Sequence, residues 1–518
     1  MTFRANMPRV ERVPPAAPPS AGRAQAVVRG TFRLLSGQLA AKCIDMLVYV
    51  LLARRLGVES FGAFTYALSF TLLFNVVTDL GLSTVFTREA ARAPERSQAL
   101  MRRVLALKLL LAPLTLAIVL GVAAAVHTPA PTLVLMAMLT ASMLLGSLAG
   151  VHEGSLRAAG HPGRVGLSLA AGSVTALVVV GVAWFMGLSV FVAAGAQLAA
   201  QVVHLLAAVL AARGLPAAPA LASGPPSALA SRGALLREAL PVALSWVFIA
   251  LYFRIDAVML HALCDERAVG LYGGTYRVFE GFAMLTVGFR SVLFPHMARA
   301  ADGPREALAA LARKSLRLQL LFTVLVGVTF TFLARPVLAA VLGPAYAEAA
   351  PGMAILIWAL PGSFMADTLL HLLIAQRRQA LGTWVVGATA VLNISLNFVL
   401  IPRWSYLGAS AATVASECTC FVLLYVMFAR AVPDVGLLRT AWRPLVAGTA
   451  LAGVLFALAP RLPAGAGGLL LGLATAGGVY ALVLLALGEL RADDVALLRG
   501  LLARRRLSPV PSAAGGTT

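Results

Sequence analysis

Residues 252–260 read YFRIDAVML, and they set a condition that any fold of this chain must meet. Arg254 and Asp256 stand inside an apolar run from 236 to 262 that is long enough to cross a bilayer. They are two apart, so on a helix they point to nearly opposite sides and cannot satisfy each other. Each needs a partner elsewhere. The condition recurs along the chain. Lys42 and Asp45 share one apolar stretch, Arg277, Glu280 and Arg290 share another, and Asp367 lies in a further one. A charge at the bilayer centre costs roughly 2.5–3.5 kcal/mol on insertion scales, so these groups line something wet, pair with one another, or meet a charged ligand. A many-helix membrane protein with a charged interior implies a transporter.

Composition agrees. Of 518 residues, 60% are hydrophobic and 12% charged, about half the charge of a soluble protein. Apolar stretches of 18–28 residues recur between 33 and 488, which is the pattern of a polytopic helical protein. We count fourteen, including 33–54, 61–83, 236–262, 270–298, 351–375, 379–401, 407–429, 440–459 and 466–488. The expected fold class is therefore all-α integral membrane, with about 14 transmembrane helices.

The net charge of +21 would suit a nucleic-acid partner, but its placement does not. Arginines crowd alternate connections, from Arg88–Arg103 through Arg299–Arg317 to Arg504–Arg506, while the opposite side holds only Arg54, Arg55, Arg267, Arg335, Arg403 and Arg461. That is the positive-inside pattern, and it puts both termini in the cytoplasm. Residues 1–32 lack an apolar core and read as a disordered cytoplasmic start without a signal peptide. Residues 489–518 open on a basic amphipathic stretch expected along the inner leaflet. Cys43, Cys264, Cys418 and Cys420 have no metal-ligand spacing and read as packing residues.

The longest polar interruption, within 212–235, separates an N-lobe (33–211, six helices) from a C-lobe (236–429, six helices). The lobes look related. SFGAFTY at 60–66 and AVGLYGG at 268–274 each open a helix after a short outer loop, at an offset near 208. Each follows a helix with a mid-membrane base and acid, and each leads to a basic inner loop, TREAARA (87–93) or PHMARAA (295–301). An even number of helices separates the repeats, so they are parallel, which implies two lobes about a pseudo-two-fold axis with the substrate path between them. The stretches at 440–459 and 466–488 have no counterpart and read as an accessory pair, within 440–488, that forms either a lipid-facing groove or a dimer face.

Several of the interior charges can carry chemistry. Lys42 and Asp45 are three apart and share a face, either as an internal pair or with Lys42 free for an anionic headgroup. Arg254 and Arg277 lie at similar depth, roughly 11–12 Å from the outer end at 1.5 Å per residue. With Asp256 and Glu280 they form a closed ion-pair network or an open anion site, and arginine's planar fork suits phosphate. Arg290 lies nearer the cytoplasm and can snorkel. Asp79 is placed to hold the 88–103 loop. Asp367 and His371, four apart, are a protonatable pair, and Glu417 is a mid-helix carboxylate suited to ion coupling. Pro361-Gly362 marks a hinge. No Walker A sequence, large soluble domain or metal-ligand cluster is present, so no enzyme and no cofactor is expected.

Three blocks carry a family resemblance: ARRLGVESFGAFTYALSFTLLFNVVTDLGLSTVFTREAAR (53–92), YFRIDAVMLHALCDERAVGLYGGTYRVFEGFAMLTVGFRSVLFPHMARAA (252–301) and VLNISLNFVLIPRWSYLGASAATVASE (391–417). In order and spacing they resemble the bacterial lipid-linked oligosaccharide flippases of the multidrug/oligosaccharidyl-lipid/polysaccharide (MOP) superfamily. The resemblance implies a two-lobed, MATE-like V of fourteen helices in the bacterial inner membrane. It implies alternating access that moves a polyprenyl-diphosphate-linked glycan to the periplasmic leaflet for surface polysaccharide biosynthesis. It also implies coupling to H⁺ or Na⁺ and partners among polysaccharide polymerases. The cationic lumen of such flippases maps onto Lys42, Arg254, Arg277 and Arg290, with Asp45, Asp256, Glu280, Asp367, His371 and Glu417 in the ion-coupling or charge network. The competing readings are a multidrug antiporter, whose cavities acids should dominate, and a lipid II flippase, whose several first-helix arginines are missing here.

Overall fold

Helix after helix, the chain buries small and aromatic residues on one side and leaves large apolar ones bare on the other. On the helix from Pro162 to Met186, Val174, Val178, Val182 and Phe185 recur every three or four residues and are 45–88% exposed. Such a stripe is stable only against lipid, since in water it would be a contiguous sticky patch. The computed structural model describes residues 21–215, 232–376, 378–432 and 435–489. The segment 1–20, most of the 212–235 linker and the tail beyond Glu489, for which the sequence sets expectations above, lie outside them.

The described residues form α1 (Ala21–Leu73), α2 (Asn75–Asp79), α3 (Leu82–Arg92), α4 (Ser97–Ala125), α5 (Ala130–Ala158), α6 (Pro162–Met186) and α7 (Val190–Arg213). The second half follows as α8 (Arg232–Leu263), α9 (Glu266–Ala283), α10 (Leu285–Ala301), α11 (Arg305–Leu342), α12 (Ala350–Leu356) and α13 (Ala359–Ala375). Last come α14 (Gln379–Ala431), α15 (Leu437–Leu458) and α16 (Ala466–Ala486). Among the described residues, ten stretches are long and apolar enough to cross a membrane. Two of these, in α1 and α14, are each two crossings, because the chain turns back inside them. The α12–α13 pair, bent by 47°, adds another. The α9–α10 rod, too charged to pass on hydropathy, completes the fourteen.

The turn in α1 is at Gly57 (φ 74°), a left-handed conformation that glycine adopts without strain. Contacts with α9 show the reversal. Met46 meets Gly281 and Tyr49 meets Arg277, whereas beyond the turn Val58 meets Gly270 and Thr65 meets Gly273. The first segment of α1 therefore runs against α9 and the second runs with it. In α14 the turn is at Ser405 (φ 50°), and Asn397 and Thr413, eight residues to either side, reach the same carboxylate of Asp256.

The second segment of α1 and α9 meet along the pseudo-two-fold axis. A Cβ on Gly62 would lie 1.9 Å from the carbonyl oxygen of Glu266, and one on Gly270 would lie 1.9 Å from that of Val58. Glu266 and Gly270 are Val58 and Gly62 plus 208, so the two contacts are reciprocal. Glu59 and Arg267, also 208 apart, pair with each other at 3.7 Å. Around this seam Arg54 donates to the carbonyls of Val341 (2.7 Å) and Ala340 at the end of α11. Arg267 also pairs with Glu348, Tyr66 stacks on His261 and Phe61 abuts Tyr346. These contacts close the space between the lobes at this end.

Several expected boundaries move. Helix is already present from Ala21, and TREAARA and PHMARAA are helical rather than loops. The 61–83 stretch is broken at Phe74 and at Leu80–Gly81, both of the latter at positive φ. The bend expected at Pro361-Gly362 falls at Ile357–Trp358, because Pro361 has no N–H for the carbonyl of Ile357, which accepts from Leu360 instead (3.1 Å). The accessory pair α15–α16 packs on α11. Its base is clasped by Glu489, which is buried between Arg317 and Arg443 rather than lying at a surface. Cys420 is buried, but Cys43, Cys264 and Cys418 are exposed, so three of the four cysteines are not core packing.

An alanine at Gly62 or Gly270 overpacks only the sealed state, at a cost of about 1–3 kcal/mol, which shifts a two-state balance about 5–150-fold. With the four native cysteines replaced by serine, a Ser69→Cys probe just beneath the seam should gain reactivity toward an impermeant maleimide added outside. Gly121→Ala, which has open space around it, should not change that labelling.

Candidate functional site

Below the seal, α1, α8 and α9 bring their charges together. Arg277 Nη1 binds Glu280 Oε2 at 2.6 Å, one helical turn apart on α9. Arg254, from α8, approaches the other oxygen of the same carboxylate at 3.7 Å. The guanidinium of Arg277 also lies over the ring of Tyr49 at 3.9 Å, a cation–π contact reaching across from the N-lobe. Lys42 is exposed on the first segment of α1. Among the described residues neither Lys42 nor Asp45 forms an ion pair, so that pair is left open to its surroundings. The side chains of Arg254 and Arg277 are 24% and 12% exposed. A small cavity lined by Thr65, Ser69, Arg254, Asp256, Tyr276 and Arg277 sits where the glycine seam ends.

Asp256 faces the other way, as its two-residue offset from Arg254 requires. It is 4% exposed and accepts from Tyr272 Oη (2.6 Å), Asn397 Nδ2 (3.4 Å) and Thr413 Oγ1 (3.4 Å). Asn397 Nδ2 also donates to Asn393 Oδ1 (3.0 Å), and its own Oδ1 is buried without a hydrogen-bond partner. Glu417, 6% exposed, is held by Tyr252 and Ser363. Both acids are thus enclosed inside the C-lobe by neutral donors. Arg290 binds Asp367 at 3.1 Å, from α10 to α13, and His371 Nδ1 stands 3.6 Å from the same carboxylate. This second cluster is separate from the one at the seal.

Other polar networks were not among the expected sites. Lys108, 1% exposed on α4, donates to Asp79 (2.6 Å), Ser83 (2.8 Å) and both oxygens of Ser147 (2.7 and 2.8 Å). Asp79 therefore ties α2 to α4 and α5 rather than the 88–103 loop. Glu153 on α5 bridges Arg157 (2.8 Å) and His204 of α7 (2.8 Å). Lys108 was visible as a lone base in LALKLLLAP (105–113), and Asn393 and Asn397 as a pair one turn apart.

The sequence matches the family profile of polysaccharide biosynthesis proteins over residues 27–301 and the MatE profile over 241–399. No curated protein matches the chain. Among solved structures it is similar to the lipid II flippase MurJ in an inward closed conformation, with a TM-score of 0.68 at 13% identity, covering 87% of this chain and 97% of that one. It is also similar to an inward-facing multidrug resistance MATE family transporter of the MOP superfamily, at 0.63 and 16%, covering 76% and 95%. A MOP superfamily transporter from Pyrococcus furiosus gives 0.54 and 17%, covering 80% and 97%. These likenesses establish the fold.

Removing one partner of a buried pair leaves the other charge stranded, at about 3–5 kcal/mol. Lys108→Met should therefore lower the unfolding midpoint in detergent sharply. Lys108→Met with Asp79→Asn should recover much of that loss.

Proposed function

The chain belongs to the polysaccharide biosynthesis protein family, with the fold of a MOP-superfamily transporter, and from that we propose that it flips a polyprenyl-diphosphate-linked oligosaccharide across the bacterial inner membrane, from the cytoplasmic to the periplasmic leaflet. One observation carries this reading. Arg254 and Arg277, from α8 and α9, converge on Glu280 at the closed end of the interior, Tyr49 from the other lobe covers Arg277, and Lys42 is exposed on that same first segment of α1. A diphosphate cannot cross hydrocarbon unaided, and fixed cations in a wet cleft replace its hydration. The polyprenyl tail stays in lipid while the head passes between the lobes. Release needs weak binding, which dispersed cations supply better than one tight cage. Arg290, closer to the cytoplasm, gives the head an earlier contact. Both termini are assigned to the cytoplasm on the arginine distribution.

Coupling is assigned to the C-lobe acids. Asp256, Asn393, Asn397 and Thr413 gather oxygen ligands with one amide oxygen to spare, a donor set suited to Na⁺ or H⁺. Glu417 and the Asp367–His371 pair are the further protonatable groups. Asp256→Asn should leave passive exchange of substrate intact while removing its dependence on the driving ion gradient, as read by flipping with and without that gradient.

A second reading, a cation antiporter, draws on the MatE match over 241–399 and on these enclosed acids. A third is a lipid II flippase, on the fold likeness. Reconstitution separates them. In liposomes carrying a fluorescent polyprenyl-diphosphate oligosaccharide in one leaflet, the protein should equalise the leaflets and show no antiport of organic cations. Unlabelled lipid II should compete poorly. A lost charge-assisted contact is worth about 1.5–3 kcal/mol, so Lys42→Ala, Arg254→Ala and Arg277→Ala should each slow flipping at least about tenfold. Cation antiport without glycolipid movement would overturn the reading.

A further inference from the structure

We propose that Glu280 is an internal stand-in for the ligand's phosphate, occupying the anion site until a diphosphate headgroup displaces it. The inference rests on the flippase reading and deepens it. Its two carboxylate oxygens are divided between two guanidiniums on different helices, Arg277 at 2.6 Å and Arg254 at 3.7 Å. Two oxygens shared by two forks is how a phosphate would be gripped there. Asp256 borders the same small cavity but pairs with neither arginine, its oxygens accepting from Tyr272, Asn397 and Thr413.

What separates a stand-in from a scaffold is whether the arginines need Glu280 to stay in place. Arg277 does not depend on it alone, because Tyr49 supports the face of its guanidinium at 3.9 Å. The side chain of Glu280 is 32% exposed, more than that of either arginine it bridges. An arriving diphosphate brings more negative charge than one carboxylate and takes both guanidiniums. As the head leaves, Glu280 returns, so the bases never stand uncompensated in the membrane interior and the ligand is actively replaced. The carboxylate weakens binding and speeds release.

The two roles predict opposite signs for one substitution. Glu280→Gln keeps size and hydrogen-bonding capacity but removes the competing charge. With the full chain in nanodiscs and geranyl diphosphate as the probe, calorimetry should show Glu280→Gln binding about tenfold tighter than wild type. In the liposome assay KM and kcat should fall together, as expected when release becomes limiting. Glu280→Asp withdraws the carboxylate by one methylene and should bind with intermediate affinity, which keeps the test intact if the glutamine variant does not fold. Adding Tyr49→Leu to Glu280→Gln should abolish the gain. Weaker or unchanged binding in the glutamine and aspartate variants, with wild type still binding, would make Glu280 a scaffold and leave the flippase reading standing. No binding by wild type or any variant would remove both.

Discussion

A guanidinium in the interior of a membrane must be held by something, and the shared carboxylate of Glu280 is what lets this protein keep two there. Arg254 and Arg277 belong to separate helices, so a single acid couples α8 to α9. Tyr49 couples that pair to the other lobe. The rest of the architecture can be read as arranging access to this cluster. The reciprocal glycines bring α1 and α9 into backbone contact above it.

The acids divide into two kinds, and the division gives the fold its logic. Glu280 faces the bases and the open space. Asp256 and Glu417 face inward, each held by phenol, hydroxyl or amide donors from two other helices. Neutral donors stabilise a buried carboxylate less than a cation would. Because α9 supplies Tyr272 to Asp256 and Arg277 to the interior site, a change at one carboxylate is felt along the helix that carries the other.

Much of this was legible in the sequence, for definite reasons. Charges that cannot pair locally must find distant partners, and the offset between Arg254 and Asp256 told correctly that they would part. The 208-residue offset shows directly in space, since Gly62 and Gly270 exchange the same contact. Other features hide. Hydropathy is alike for a side chain in the core and one against lipid, so Cys43 and Cys418 could not be told from Cys420. Helices continue through charged stretches at the membrane surface, where arginine has no reason to end them, so TREAARA and PHMARAA passed for loops. A proline acts four residues upstream of itself, which moved the α12–α13 bend. The network of Lys108 joins residues 25 to 39 apart, and only packing reveals it.

The most direct measurement is a structure of the protein in nanodiscs with a short-chain polyprenyl-diphosphate trisaccharide bound. The account predicts diphosphate oxygens within hydrogen-bonding distance of Arg254 and Arg277, close to Lys42, with the glycan in the interior and the prenyl chain leading out into lipid. A headgroup seated elsewhere, with the Arg254–Glu280–Arg277 bridge undisturbed, would contradict it.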